Sequence, residues 1–181
     1  KIVDETGIVV LEKVKEVLVC RWIESLYQVP YSEQYDYLER LMESWRMSLM
    51  FIDKTVMGIP LEEELTKKIG SRIVGFNFNQ QSKEALFMLV KNKLMDRKLV
   101  LPNHEKLIYQ MTRLERRLTS FDNIQYGHPE GEMDDLFWAL ALAVRASVEV
   151  GNVSNFDYKV IEKKPTRLRD YARSKWKEAY K

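Results

Sequence analysis

One cysteine, Cys20, is all that 181 residues contain, so no internal disulfide can form. It falls in an alternating, strand-like stretch and reads as a small buried apolar side chain in a reducing, intracellular setting. Long apolar runs are missing too. The longest, Leu136 to Val144, is less than half of the ~20 residues that a membrane-spanning helix needs. The opening KIVDETGIVVLEKVKE lacks the apolar core and small-residue cleavage site of a secretory signal, and its acids argue against an organelle transit peptide. Neither sign of charge is in excess: 29 Lys and Arg stand against 27 Asp and Glu, so net charge points to no partner. There is no internal repeat, no low-complexity segment and no G-x-x-x-x-G-K-[ST] loop, and without that loop there is no P-loop ATPase within these residues. What is present, 45% hydrophobic and 31% charged residues, is the composition of one soluble globular domain.

Alternation predicts two strands first, TGIVVLEKV (6–14) and EVLVCRWIE (16–24), close enough to form a hairpin. Pro30 and Ser32 mark a helix start, followed by Tyr35, Leu38, Leu41, Met42 and Trp45 at helical spacing. LMFID (49–53) is a short apolar run ending in an acid, the pattern of a central strand covered on both sides. LEEELTKKIG predicts a helix closed by Gly70, RIVGF (72–76) a strand, and 80–98 a helix. LVLP (99–102) reads as a brief strand, 104–117 as a helix, and 117–127 as a hairpin or edge strands. Strands alternating with helices after an antiparallel pair indicate a mixed α/β layer fold. Trp22, Trp45 and Trp138 belong to its core by periodicity.

GEMDDLFWALALAV (131–144) then sets Asp134 and Asp135 at the head of a helix with almost no polar face, running to about Val150. Two readings stand side by side. Asp is a favoured helix cap and suits the positive end of the helix dipole. Alternatively, since sites in α/β sheets lie at the carboxyl ends of strands, these acids meet Asp53 and share divalent cations, the device of many phosphodiester-cleaving enzymes. Lys54 is either solvated or a phosphate contact. His128 and Glu132 are either plain loop residues or neighbours of the acid pair, with His128 contacting metal or orienting a water. Glu62, Glu63 and Glu64 suit the start of a helix, and His104 a helix's first turn. The last stretch, 155–181, is basic with interleaved aromatics; it is a solvated helix, a polyanion-binding surface, or both.

MFIDKTVMGIPLEEEL, RIVGFNF, SKEALFMLVKNKLMDRKLVLP and GEMDDLFWALALAV, in this order, resemble the nuclease domain of the large terminase subunit of tailed bacteriophages and related viruses. The resemblance implies an RNase H-like fold over residues 1–150, a mixed central sheet with helices on both faces, with 151–181 as a basic extension. It implies an Mg²⁺- or Mn²⁺-dependent endonuclease that uses two ions to cut concatemeric double-stranded DNA. Carried over residue by residue, Asp53 matches the second catalytic acid, and Asp135, with Asp134 as a further ligand or cap, the third. The first catalytic acid and its strand fall upstream of residue 1, leaving Asp4 and Glu5 as the only acids near that position, with Asp4 the candidate to lie close to the metals. Lys54, Lys163, Lys164, Arg167 and Arg169 are the candidate DNA contacts. An ATPase domain upstream or in another subunit, a portal and a small terminase subunit are the implied partners, and the host-cell cytoplasm the implied location. The alternatives are another RNase H-like nuclease such as a junction resolvase, or a DNA-binding or assembly module that lacks the first acid and does not cut.

Overall fold

A computed structural model of the chain describes residues 5–54, 59–118, 124–129 and 132–150. Its first two elements form the expected hairpin: β1 (Glu5–Val14) runs antiparallel to β2 (Val17–Tyr27), with a register shift between Val10 and Leu11. Period-two alternation sorts β1 into two faces. Ile8 and Val10 enter one core with Leu26 and Tyr37, while Val9 and Leu11 pack against a second core with Leu18 and Ile23.

Helices cover both faces. Helix α1 (Tyr31–Ser44), entered from Pro30, supplies Leu38, Leu41 and Met42 to the first core, and α2 (Ile59–Ile69) adds Leu65. Gly70 ends α2 at φ +79°, a left-handed conformation that glycine adopts without strain. On the opposite face, α3 (Gln80–Met95) brings Leu86 and Val90, α4 (Glu105–Arg113) brings Leu107, and α5 (Asp135–Val150) brings Leu136, Phe137, Leu140 and Val144. The all-round apolar sequence of α5 is thus explained by burial between layers.

The remaining strands are short. β3 (Met50–Asp53) pairs in parallel with β4 (Ile73–Phe76), β5 (Leu99–Val100) in parallel with β2, and β6 (Glu115–Leu118) antiparallel with β7 (Ile124–Gly127). Helix α4 therefore stops sooner than helical spacing predicts, because residues 115–118 leave it to pair with a partner strand. Helix α3 also ends early, at Met95, with Arg97 at φ +55° turning the chain into β5.

Among the described residues the sheet is in two main parts, β1–β2–β5 and β3–β4. Among the described residues, strand β1 pairs on one side only, and so does β3. Both line a cavity of about 1430 Å³ that α1 and α5 also wall. This is why β3 is less enclosed than its apolar sequence predicts: Ile52 is buried, Met50 and Phe51 are half-buried, and Asp53 is exposed.

Candidate active site

Asp53 is the last residue of β3, opposite Phe76 of β4, and the Lys54 amide donates to the Phe76 carbonyl at 2.8 Å, so the ladder holds the strand straight up to the acid. Asp134 and Asp135 begin α5. All three line the same cavity. A row of rings bridges the two elements: Phe51 and Phe76 lie 6.1 Å apart, Phe76 and Phe78 5.2 Å, and Phe78 and Trp138 of α5 5.4 Å, the last two pairs edge to face.

The first turn of α5 is fixed from three directions. Gly7 of β1 lies against it so closely that a Cβ there would sit 2.6 Å from the carbonyl oxygen of Asp135. From α4, buried Gln110 accepts the Phe137 amide through Oε1 at 3.1 Å, satisfying a donor left open at the helix start. From the loop before the helix, the Asp134 carboxylate accepts Trp138 Nε1 at 2.6 Å, with His128 Nε2 3.8 Å from its other oxygen. The capping reading therefore needs amendment. Among the described residues, the Asp134 side chain takes an indole N–H instead of a helix amide, and a side chain from another helix serves Phe137.

The other candidates divide. Lys54 pairs with Glu62 at 3.1 Å, and the pair lies over Gly75, where a Cβ would meet the Lys54 chain at 2.8 Å. Glu62 is thus tied to the end of the Asp53 strand as well as lying in the first turn of α2. Glu132 is held in a two-pronged bond by Arg113 of α4, Nη2 to Oε1 at 2.8 Å and Nε at 3.2 and 3.3 Å. That guanidinium holds the Glu132 carboxyl below its ordinary range and is itself raised by it. His104 caps α4, its Nδ1 accepting the Leu107 amide at 3.2 Å. Asp4, Lys163, Lys164, Arg167 and Arg169 lie outside the described residues. Cys20 is half-buried, its thiol pushed up to about 11 by desolvation.

Glu5, one of the two acids near the expected position of the first catalytic acid, is buried at the start of β1 and bonded by Lys106 of α4. Sequence reasoning missed three residues at or near this site: Gln110 and Gly7 hold α5, and Lys83 of α3 lines the acid cavity with its ammonium 4.8 Å from the Trp138 ring centroid. Only Gly7 left a signal, since glycine inside a strand marks close backbone approach.

Carboxylates from two elements offer the hard oxygen donors that a cation such as Mg²⁺ takes, and in donor chemistry the residues fit a divalent ion. Among the described residues, however, no three His, Cys, Asp or Glu side chains converge into a ready metal site. Among them also, no helix is long and apolar enough to cross a membrane.

No protein-family model matches the sequence, and no curated protein matches it. Solved structures match the fold. The large terminase nuclease from thermophilic phage G20c with bound cobalt aligns over 78% of this chain and 81% of its own at 18% identity, TM-score 0.64. The same nuclease with bound magnesium aligns over 78% and 82%, also at 18% and 0.64. The large terminase nuclease domain of Thermus phage P74-26 aligns over 77% and 78% at 14% identity, TM-score 0.59. The mixed α/β architecture is therefore the RNase H-like one of these nucleases.

Proposed function

We propose that this chain is a metal-dependent endonuclease domain of a viral DNA-packaging terminase large subunit, cutting concatemeric double-stranded DNA by phosphodiester hydrolysis. One observation carries the reading: an acid ending a strand and two acids opening a buried helix line one cavity, on a fold shared with such nucleases. Asp53 and Asp135 are the residues that would hold Mg²⁺ or Mn²⁺, two ions in all, with Asp134 as the additional donor. Ions held there would lower the pKa of a water and offset charge on the leaving oxygen.

The chain's own residues orient this chemistry. Trp138 holds one oxygen of Asp134, which leaves the other to face His128, the side chain positioned to orient a water. Gly7 and Gln110 keep the first turn of α5, and so Asp135, in register with β1. Lys54, once released from Glu62, and the basic residues Lys163, Lys164, Arg167 and Arg169 would contact DNA phosphates. The ATPase domain, portal, small subunit and host cytoplasm follow from the same reading.

Nicking of supercoiled plasmid in Mg²⁺ or Mn²⁺ tests it. Wild type should nick, and Asp53→Asn and Asp135→Asn should each lose at least a hundredfold while keeping their fold. A wild type that binds duplex DNA without nicking it would favour the non-cutting module. Cutting confined to four-way junctions would favour a resolvase.

A further inference from the structure

Lys83 stands in the first turns of α3, behind a capping box in which Asn79 accepts the Ser82 amide and Ser82 Oγ accepts the Asn79 amide, both at 2.8 Å. That box fixes where the helix starts and so where Lys83 points. Its ammonium lies 4.8 Å from the ring centroid of Trp138 and 5.7 Å from that of Phe78. The Trp138 indole donates in turn to Asp134, so one ring touches both the ammonium and the Asp134 carboxylate. Lys83, Asp53, Asp134 and Asp135 line one cavity.

The ammonium shares its cavity with three carboxylates, yet among the described residues its contacts are the two rings, with no carboxylate partner. Lys54, the lysine that sequence adjacency singles out, is already paired with Glu62. Aromatic faces attract a cation without offsetting its charge as a carboxylate would, so the rings leave the Lys83 ammonium open to an anion at one point on the cavity wall. A polyanion approaching carboxylates is repelled unless a cation receives it.

We infer that Lys83 is a substrate-contacting residue, binding a backbone phosphate of the DNA strand presented to Asp53 and Asp135. The inference rests on the nuclease reading above and adds to it the group that receives the phosphate. The ring cradle holds the ammonium in place before DNA arrives.

The test measures binding of a 30-base-pair duplex by the full chain, with Ca²⁺ replacing Mg²⁺, across a salt series, for wild type, Lys83→Met, Lys83→Gln and Lys83→Arg. Each phosphate contact contributes a slope of about −0.9 to log K against log salt. Met and Gln should keep the wild-type melting temperature, weaken binding on the order of tenfold at low salt and reduce the slope by about that one contact. Arg should restore both. If Met and Gln bind with the wild-type slope, or Arg fails as they do, the inference falls while the nuclease reading stands. If Met disturbs ring packing, Gln still decides between these results. A wild type that neither binds nor nicks DNA overturns both.

Discussion

Gly7→Ala is the sharpest perturbation that the fold offers, because it touches no functional side chain and still strikes the site. A Cβ at residue 7 would lie 2.6 Å from the Asp135 oxygen, 2.8 Å from its carbonyl carbon and 3.0 Å from the Leu136 nitrogen. All three are backbone atoms, so no side chain can swing aside. The gap to the oxygen must open by about 0.4 Å merely to reach 3.0 Å, and either β1 or the head of α5 has to move. Overpacking of this kind costs about 1–3 kcal/mol. For a chain of this length that is a fall in Tm of roughly 2–12 °C, at about 2–4 °C per kcal/mol. Because the crowded atoms belong to Asp135 itself, its carboxylate moves with them, and nicking should slow on the order of tenfold, since ångström misplacements cost up to ~10². Thermal unfolding by circular dichroism and the plasmid assay read the two effects. Gly127→Ala is the control, since a Cβ there meets nothing within 4 Å. The reasoning is refuted if Gly7→Ala melts within about 1 °C of wild type and within the Gly127→Ala range.

Three further outcomes follow from single contacts. Gln110→Leu keeps the volume but leaves the Phe137 amide without its acceptor; it should cost about 1–3 kcal/mol and speed hydrogen exchange at Phe137, and unchanged exchange would sink the assignment. Arg113 holds the Glu132 pKa below 4.5, so Glu132 is depressed in the folded state. Its stabilisation is then complete above pH 4.5 and disappears as pH falls through the folded value; melting curves of wild type and Arg113→Met should converge in acid, and a gap constant with pH would contradict this. Cys20, with its thiol raised to about 11, should resist alkylation at pH 8 until the chain unfolds, whereas rapid labelling of the native protein would show that the thiol is open.

Local patterns made much of the architecture legible. Alternation identified the hairpin of β1 and β2, a short apolar run identified β3 with its terminal acid, and an apolar helix headed by two acids identified α5. Elements set by distant partners were not legible. Residues 115–118 continue a helical spacing, but pairing with β7 draws them into a strand, as tertiary contacts override weak helix propensity. The division of the sheet depends on which strand edges meet, which no local pattern encodes. The site divides the same way. Asp53, Asp134 and Asp135 stood out as candidates by where they sit on their elements, and the fold adds that they line one cavity. Lys83 did not stand out, because its platform is built from Phe78 and Trp138, far apart in sequence. Lys54 adjoins Asp53 in the chain, and what adjacency could not show is that Glu62 folds back from α2 to pair with it.

Whether the acids act together can be read from stability alone, without any cutting. Asp53 is exposed, and Asp134 keeps 15% of its side-chain exposure and accepts an indole N–H; neither acid is so sealed from water that folding would need an ion beside it. The fold around them rests on two apolar cores, and chelation should leave the chain folded. Adding Mg²⁺ or Mn²⁺ should raise Tm, because an ion bound by Asp53 and Asp135 together binds the native state and not an unfolded chain in which the two are far apart. At a hundred times Kd the linkage is about 2.7 kcal/mol, or roughly 5–11 °C at this size. Asp53→Asn and Asp135→Asn should each remove most of that rise, and the double variant should remove no more than either alone, since one shared ion is lost in every case. Additive losses would mean two independent sites, one at the strand end and one at the helix head, and would separate the acids that the proposed mechanism requires to act on a single phosphate.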